Sequence, residues 1–231
     1  MHTTCTAIIV AAGHGSRFGG DVPKQFVMLD GLPVVFHSVR TFAANPLVDR
    51  IVLVVHPDYR TLCGDYAERL GLNQGRGLEY VDGGETRQQS VLNALSSIDS
   101  GIVLIHDGAR PFVSKTAINA VITAAGQHGA ATLALPVTDT IKRGAGGFVE
   151  QTLPRDALYA VQTPQGFRAD VLKQAHDHAC KEGLQAADDC CLVERLGVAV
   201  AIVAGEATNI KITYDVDLAI AKSLTEGGWT R

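Results

Sequence analysis

The sequence lacks an excess of positive charge. Its 231 residues include 20 Lys+Arg against 24 Asp+Glu, which gives a formal net charge of −4. Proteins that hold nucleic acid through bulk charge carry a broad basic surface, so this class of function is excluded. Any anion that the chain binds must therefore be held at a local site that collects a few of its cations.

Long hydrophobic runs and paired cysteines are also missing. The apolar runs at 7–12, 51–55, 102–105 and 198–204 are much shorter than the ~20 residues of a membrane-spanning helix, and the N-terminus lacks the basic start of a signal peptide. The five cysteines are an odd number without C-x-x-C spacing, which argues against a disulfide framework or a zinc site. We expect a cytoplasmic protein that contacts no membrane.

The sequence contains enough apolar residues to form a hydrophobic core. With 46% hydrophobic residues, we expect a single domain over residues 1–231. Four short apolar runs are typical of strands buried on both faces: Thr6–Val10, Arg50–Val55, Ile102–Ile105 and Val198–Val203. Helical patterns cover Leu32–Ala44, Thr86–Ser97, Lys115–His128 (with Ser114 as its N-cap), Ala169–Glu182 and Asp188–Leu196. This alternation predicts an α/β fold whose mostly parallel sheet is flanked by helices.

One segment breaks the alternation. Between Pro136 and Ala160, two extended stretches surround a glycine-rich turn, which predicts a β-hairpin arm at about 137–160 that projects from the sheet. A lone two-stranded hairpin is marginally stable in water. A second subunit is the simplest surface for it to pack against, so the sequence predicts a homodimer.

A glycine loop follows the first predicted strand. Its residues are Ala11, Ala12, Gly13, His14, Gly15, Ser16 and Arg17. Glycines without Cβ atoms let backbone N–H groups approach a phosphate closely, and Arg17 and Lys24 add two cations. The loop is not a P-loop, and Phe18 stands where the dinucleotide fingerprint requires its third glycine. The alternative is an ordinary turn with two surface cations; the spacing of the cations favours phosphate binding.

Five further motifs follow in order along the chain: Asp82-Gly-Gly-Glu-Thr-Arg with Ser90, His106-Asp-Gly-Ala-Arg-Pro-Phe, Asp139-Thr-Ile-Lys, Gln162-Thr-Pro-Gln-x-Phe and Asn209-Ile-Lys-Ile-Thr. With the loop, they resemble the sugar-phosphate nucleotidyltransferases and, within them, the 2-C-methyl-D-erythritol 4-phosphate cytidylyltransferases. The resemblance implies a Rossmann-like nucleotidyltransferase fold. It also implies an enzyme of the non-mevalonate isoprenoid pathway that transfers a cytidylyl group from CTP to 2-C-methyl-D-erythritol 4-phosphate and releases pyrophosphate.

The resemblance also implies roles for individual residues. The catalytic cations would be Arg17, Lys24 and Lys211, and Asp107 would hold one Mg²⁺, which suits a carboxylate at the end of a strand beside a phosphate loop. The nucleotide-binding residues would be Ala11, Ala12, Gly13, Gly15, Ser16, Gly83, Gly84, Glu85 and Ser90. The acceptor-binding residues would be Arg110, Thr140, Arg155 and Thr163, with Arg155 placed to reach a neighbouring subunit.

Several residues keep a second interpretation. Asp107 alone resembles a turn cap, and Arg110 either holds phosphate or pairs with Asp107. Lys211 is expected in a strand, opposite Ile210 and Ile212. His106 is expected to be structural, and we expect the pair His176 and His178 on a solvated helix face.

The sequence departs from the family's pattern on the side of the acceptor. The family's usual Thr before the helix near residue 190 is Ala187 here. The loop and the segment Pro23-Lys-Gln-Phe also resemble the ribitol-5-phosphate cytidylyltransferases, so ribitol 5-phosphate, as in CDP-ribitol synthesis, is an alternative acceptor. Two other classes stay open: a nicotinamide-dependent oxidoreductase, disfavoured by Phe18, and an inactive nucleotide-binding regulator, disfavoured because Lys24, Asp107 and Lys211 are all present.

Overall fold

The computed structural model describes residues 3–13, 22–72 and 77–228. Within these residues the strands are β1 (Cys5–Ala11), β2 (Met28–Leu29), β3 (Leu32–Pro33), β4 (Arg50–Val55), β5 (Leu78–Asp82), β6 (Ile102–Asp107), β7 (Ala130–Pro136), β8 (Lys142–Ala145), β9 (Phe148–Thr152), β10 (Tyr159–Arg168) and β11 (Ala201–Ala204). The helices are α1 (Val34–Ala43), α2 (Arg60–Arg69), α3 (Arg87–Leu95), α4 (Lys115–His128), α5 (Ala169–Glu182), α6 (Asp189–Arg195) and α7 (Asp215–Glu226).

Seven strands form one sheet in the order β11-β7-β10-β6-β1-β4-β5. All neighbours pair in parallel except β10, which is antiparallel to both β6 and β7. The mostly parallel sheet is thus confirmed. It brings the carboxyl ends of β1, β4, β5 and β6 to one edge, where open α/β sheets bind their ligands.

Helices cover both faces of the sheet, because successive strand residues point to opposite sides. In β1, Ile9 packs into a core that includes Phe36 of α1, whereas Ile8 packs into a second core with Leu172 of α5. Each fully buried side chain of this size contributes roughly 1.5–3 kcal/mol. The rigid centre of the sheet therefore fixes where its carboxyl ends lie.

Two helices have the predicted bounds. Helices α4 and α5 begin and end where their apolar spacing predicts, and the Ser114 hydroxyl caps α4 by accepting a hydrogen bond from the Ala117 N–H at 3.0 Å. Helix α1 begins two residues later than predicted, because Leu32 and Pro33 pair with β2 in a small hairpin.

The last predicted strand is wrong in its bounds and its burial. Strand β11 begins at Ala201, and its residues alternate between half-buried and exposed; Ile202 is 53% exposed. The strand lies at the edge of the sheet and pairs only with β7. An apolar run therefore does not distinguish an edge strand from a central one.

The predicted hairpin is present as β8 and β9, which are joined by Gly146 and Gly147, both at positive φ. Every residue from 142 to 152 is exposed, and Phe148 and Val149 are 79% and 65% exposed. No helix in the described ranges is long and apolar enough to cross a membrane.

Candidate active site

A cleft of about 370 Å³ opens at the carboxyl edge of the sheet. It collects most of the residues predicted for the nucleotide, the metal and catalysis: Ala11, Ala12, Gly13, Lys24, Gly83, Gly84, Glu85, Ser90, Asp107 and Lys211. These residues follow different strands and lie up to 200 positions apart in the chain. Of the remaining predicted residues, Gly15, Ser16 and Arg17 lie outside the described residues.

The turn after β5 requires both of its glycines. A Cβ atom on Gly83 would lie 2.1 Å from the Cβ of Ala12, and one on Gly84 would lie 2.2 Å from the Cγ of Gln89. The Ser90 hydroxyl holds the turn, since it accepts from the Gly84 N–H at 3.1 Å and donates to the Thr86 carbonyl at 2.9 Å. The turn is thus pressed against the glycine loop and forms one wall of the cleft.

Gln25 fixes the beginning of the glycine loop. Its side-chain amide is buried and donates to the carbonyls of Ala11 and Gly13, at 2.8 and 2.6 Å. The preceding residue, Lys24, is half-buried and lines the cleft. No role is predicted for Gln25 from the sequence, although its place directly after Lys24, in the segment Pro23-Lys-Gln, is a signal.

Asp107 lies at the end of β6 and is surrounded by cations. Its carboxylate accepts from Lys211 Nζ at 2.6 Å and from Arg87 Nε at 3.3 Å, and Arg110 Nε lies 3.9 Å away. Burial by itself raises the pKa of Asp107, but the charges of Arg87, Lys211 and Arg110 outweigh it and hold the pKa well below its usual range. Asp107 is therefore an anion at any physiological pH.

Lys211 does not lie in a strand, so that part of its prediction is wrong. It belongs to an irregular segment after β11, which is anchored by the fully buried side chain of Ile212. The backbone N–H of Ile212 donates to the carbonyl of Ala109 at 2.9 Å. This contact brings Lys211 beside Asp107 without a strand, and its side chain is 37% exposed toward the cleft.

Arg110 is turned toward the interior of the protein. Its guanidinium donates to the carbonyl of Asn209 at 2.8 Å, and its side chain is only 12% exposed. It does not line the cleft. Its position ties the segment that carries Lys211 to the end of β6.

Thr163 and His106 form a buried hydrogen-bonded chain below Asp107. The Asp107 N–H donates to Thr163 Oγ1 at 3.0 Å, which lies 3.1 Å from His106 Nδ1, and His106 Nε2 lies 3.1 Å from the Arg110 carbonyl. Because that carbonyl only accepts, we assign the ring proton to Nε2. Burial lowers the pKa of His106 to about 4. A neutral, fully buried His106 agrees with the structural role expected for it.

Thr140 and Arg155 lie at the base of the arm and are exposed. The Arg155 guanidinium donates to the Thr138 carbonyl at 2.8 Å. Neither residue lines the cleft. Their assignment to the acceptor stays a prediction, which requires the arm to reach a second subunit.

Two charged residues without a role predicted from the sequence, Arg87 and Asp189, also belong to the site. Arg87, at the start of α3, lines the cleft and bridges Asp107 and Asp189, with 2.6 Å from Nη1 to Asp189 Oδ2. Asp189 in turn lies 2.9 Å from His176 Nε2.

The prediction that His176 is solvated is wrong, because it is fully buried on the apolar face of α5. Its spacing four residues after Leu172 was the available signal.

The strand order, the cleft at the carboxyl edge and its glycine turn, lysines and carboxylate define an α/β nucleotidyltransferase. The chain belongs to the family IspD: 2-C-methyl-D-erythritol 4-phosphate cytidylyltransferase, whose sequence profile matches residues 5–226. This assignment favours 2-C-methyl-D-erythritol 4-phosphate over ribitol phosphate as the acceptor, and a cytidylyltransferase over an oxidoreductase or an inactive regulator.

Individual relatives agree with the family. The chain is 48% identical over 224 residues to a 2-C-methyl-D-erythritol 4-phosphate cytidylyltransferase of Pelotomaculum thermopropionicum, which covers 94% of this chain and 92% of that protein. Among solved structures, a 4-diphosphocytidyl-2C-methyl-D-erythritol synthase of Anaerococcus prevotii matches with a TM-score of 0.86 at 29% identity over 97% of both chains. A 2-C-methyl-D-erythritol 4-phosphate cytidylyltransferase of Thermus thermophilus matches with a TM-score of 0.78 at 35% identity, over 95% of this chain and 98% of that one.

Proposed function

We propose that this protein transfers the cytidylyl group of CTP to 2-C-methyl-D-erythritol 4-phosphate, giving 4-diphosphocytidyl-2-C-methyl-D-erythritol and pyrophosphate. The observation that carries the proposal is the cleft in which Lys24, Asp107 and Lys211 meet the glycine turn at 83–84, in a chain of this family.

The acceptor needs no general base. The second pKa of a phosphate monoester is near ~6, so its oxygen is already an anion at pH 7. This oxygen attacks the α-phosphorus of CTP, and the bond from that phosphorus to the oxygen bridging to the β-phosphate breaks. The leaving pyrophosphate keeps the electron pair. The barrier comes from bringing two anions together in line, so positioning and neutralisation of charge supply most of the catalysis.

The cations of the cleft are suited to this task. Lys24 and Lys211 line it, and Lys211 is placed to move from Asp107 to a phosphate oxygen by rotation of its flexible side chain. Arg17, by the family resemblance, would hold the departing pyrophosphate. Each cation then stabilises charge that develops only as the phosphorus is transferred.

Asp107 fits the role of a magnesium ligand. Mg²⁺ usually binds through one or two carboxylates and the phosphates of its substrate. The carboxylates that line the cleft among the described residues are Asp107 and Glu85, and the described residues hold no group of three metal-ligating side chains. We propose that Asp107 holds Mg²⁺ that arrives with CTP. The ion would neutralise phosphate charge as a Lewis acid.

The turn at 83–84 is proposed as the wall that selects the base. The turn is packed tightly against Ala12 and Gln89, so it has little room to move. Its backbone groups, together with Glu85 and Ser90, would form hydrogen bonds with the edge of a pyrimidine base. We expect the slot to exclude the larger purine ring, and therefore expect discrimination against ATP and GTP.

The exposed arm is proposed to form a homodimer in the cytoplasm. Phe148 and Val149 at its tip are apolar and strongly exposed, and burying them against a second copy would stabilise a hairpin that is weak alone. Arg155 at its base would then complete the neighbour's acceptor site.

Initial rates of pyrophosphate release test the function. The purified protein with Mg²⁺ and CTP is assayed with 2-C-methyl-D-erythritol 4-phosphate and, separately, with ribitol 5-phosphate, and ATP replaces CTP as the nucleotide control. We expect release with CTP and the methylerythritol phosphate, and at least about 100-fold less with either replacement. Turnover of ribitol phosphate alone would contradict the acceptor, and equal use of ATP would contradict the proposed base pocket.

A further inference from the structure

A line of hydrogen-bonded polar side chains runs from the second core of the protein to the cleft. It begins at His176 on α5, passes to Asp189 on α6 at 2.9 Å and continues to Arg87 on α3 at 2.6 Å. Arg87 Nε then reaches the carboxylate of Asp107 at 3.3 Å. Its first two members are fully enclosed, with side chains 0% and 1% exposed, whereas Arg87 is 28% exposed and lines the cleft.

The contacts of Asp189 give this line a fixed geometry. A carboxylate only accepts, so His176 Nε2 donates to Oδ1 and Arg87 Nη1 donates to Oδ2. Burial alone raises the pKa of Asp189, but the hydrogen bond from His176 and the charge of Arg87 lower it below its usual value. Both oxygens of a buried anion are therefore held from opposite sides, which leaves it little freedom to move.

Asp189 is itself held by its helix. The neighbouring Asp188 caps α6 by accepting from the Cys191 N–H at 2.9 Å, and its other oxygen accepts from Gln165 of β10 at 2.7 Å. The first turn of α6 is thus tied to the sheet. Asp189 projects inward from this fixed turn, toward Arg87.

We propose that the buried pair His176–Asp189 holds Arg87 in place, and that Arg87 is thereby a positioning residue for the carboxylate of Asp107. This inference rests on the proposed function and adds residues to it. Arg87 donates hydrogen bonds to two carboxylates, those of Asp107 and Asp189. If it lost Asp189, its flexible side chain would turn fully to Asp107 or to the substrate phosphates. Asp107 would then be held differently while the residues that contact the substrate stayed unchanged.

The first test is a matched set of variants at His176. His176→Gln keeps an N–H donor near the position of Nε2, whereas His176→Leu removes it at similar volume. His178→Leu, on the same helix but without a recorded contact to the line, is the control. We expect His176→Leu to lower kcat/KM for CTP about tenfold, as loss of a supporting partner does at ligand sites. His176→Gln should stay within about twofold of wild type, as should His178→Leu.

A double-mutant cycle separates positioning from general damage to the core. If His176 acts through Arg87, the loss from His176→Leu disappears once Arg87 is replaced, so His176→Leu should cost less than about twofold in the Arg87→Gln background. The same is expected of Asp189→Asn, which keeps the shape of the side chain. The dissociation constant of CTP, measured by calorimetry without acceptor, should follow the same pattern.

Two results would overturn the proposal. The first is that His176→Leu lowers kcat/KM for CTP by the same factor in the wild-type and Arg87→Gln backgrounds. If His176→Leu does not fold, the same result with Asp189→Asn would overturn the proposal. The other is a His176→Gln variant as impaired as His176→Leu. Absence of turnover by the wild-type protein would instead contradict the proposed function, so the two failures are distinguishable.

Discussion

Asp107 is the residue on which the cations of the cleft converge. Three cations reach it from different parts of the chain: Arg87 at the start of α3, Arg110 three residues on, and Lys211 after β11. Of these, Lys211 is the most exposed. Lys211 is therefore best placed to leave the carboxylate for a phosphate, while the two arginines stay with the protein.

Replacement of Lys211 tests this role. Lys211→Gln removes a charge that stabilises the transferred phosphate, and loss of one such contact typically costs about 10²–10³ in kcat. We expect a fall of that size, with an unchanged circular dichroism spectrum. Lys173→Gln is the control, because Lys173 pairs only loosely with the fully exposed Asp99, at 3.8 Å. A Lys211→Gln variant with near-normal kcat would remove Lys211 from the mechanism.

The low pKa of Asp107 makes a prediction about stability and pH. A carboxyl whose folded pKa is depressed contributes stability above its unfolded pKa, about 4, and loses it as the pH falls through the folded pKa. The difference in unfolding free energy between wild type and Asp107→Asn should therefore be largest near neutral pH and shrink below about pH 4. Urea unfolding between pH 7 and pH 2.5 measures it. A difference that stayed constant, or grew, in acid would contradict the ion pairs.

At the scale of elements, the glycine turn after β5 meets the loop after β1. Gly83→Ala would drive a Cβ atom into Ala12, and overpacking of this kind costs about 1–3 kcal/mol. We expect that loss of unfolding free energy and a rise of at least about tenfold in KM for CTP. Urea unfolding and the rate assay measure the two effects.

Gly64→Ala is the matched control for this prediction. Gly64 lies in α2 with no atom near its missing Cβ, so alanine there should stabilise the helix by roughly 0.5–1 kcal/mol. If both variants behaved alike, the close approach of the turn to the loop would not be the cause.

Some elements are encoded locally and others are not. Helices α4 and α5 follow from apolar spacing, and α4 also from the Ser114 cap, because both signals lie within the helix itself. Strand β7 escapes prediction, since four of its seven residues are Ala or Pro. The burial of β11 depends on its place at the edge of the sheet, and the residues Ala201–Ala204 alone carry no information about that place.

The candidate site divides in the same way. The glycines at 83–84, Asp107 and Lys211 are marked by their motifs, and the sheet brings them together. Arg87 stands in the motif Asp82-Gly-Gly-Glu-Thr-Arg, but its role comes from a contact with Asp189, 102 positions further along the chain. The burial of His176 has a local signal in its spacing to Leu172, whereas its pairing with Asp189 has none. A single sequence carries no signal for such a pairing.

At the scale of the whole molecule, the net charge of −4 is compatible with a reaction between phosphates. The positive charge is concentrated where β1 and β6 end, with Lys24, Lys211 and Arg87 lining the cleft and Arg110 behind it. Among the described residues, these cations form a local cluster, which is the kind of site that the composition predicts for anion binding.

The arm makes a prediction about assembly. Phe148→Asp places a charge at the most exposed apolar residue of the hairpin, so it should convert the proposed dimer to a monomer in sedimentation velocity. Val216→Asp, on α7 and also strongly exposed, should leave the dimer intact. A wild-type protein that sediments as a monomer at micromolar concentration would contradict the role of the arm.

The most direct test of the central claim is the ³¹P NMR spectrum of a reaction mixture. The wild-type protein is incubated with CTP, 2-C-methyl-D-erythritol 4-phosphate and Mg²⁺. We predict that the signals of CTP and of the phosphate monoester disappear together. Two coupled signals of a diphosphate diester and the signal of pyrophosphate should replace them in equal molar amounts. Formation of CMP or orthophosphate with the monoester unchanged would contradict nucleotidyl transfer to this acceptor.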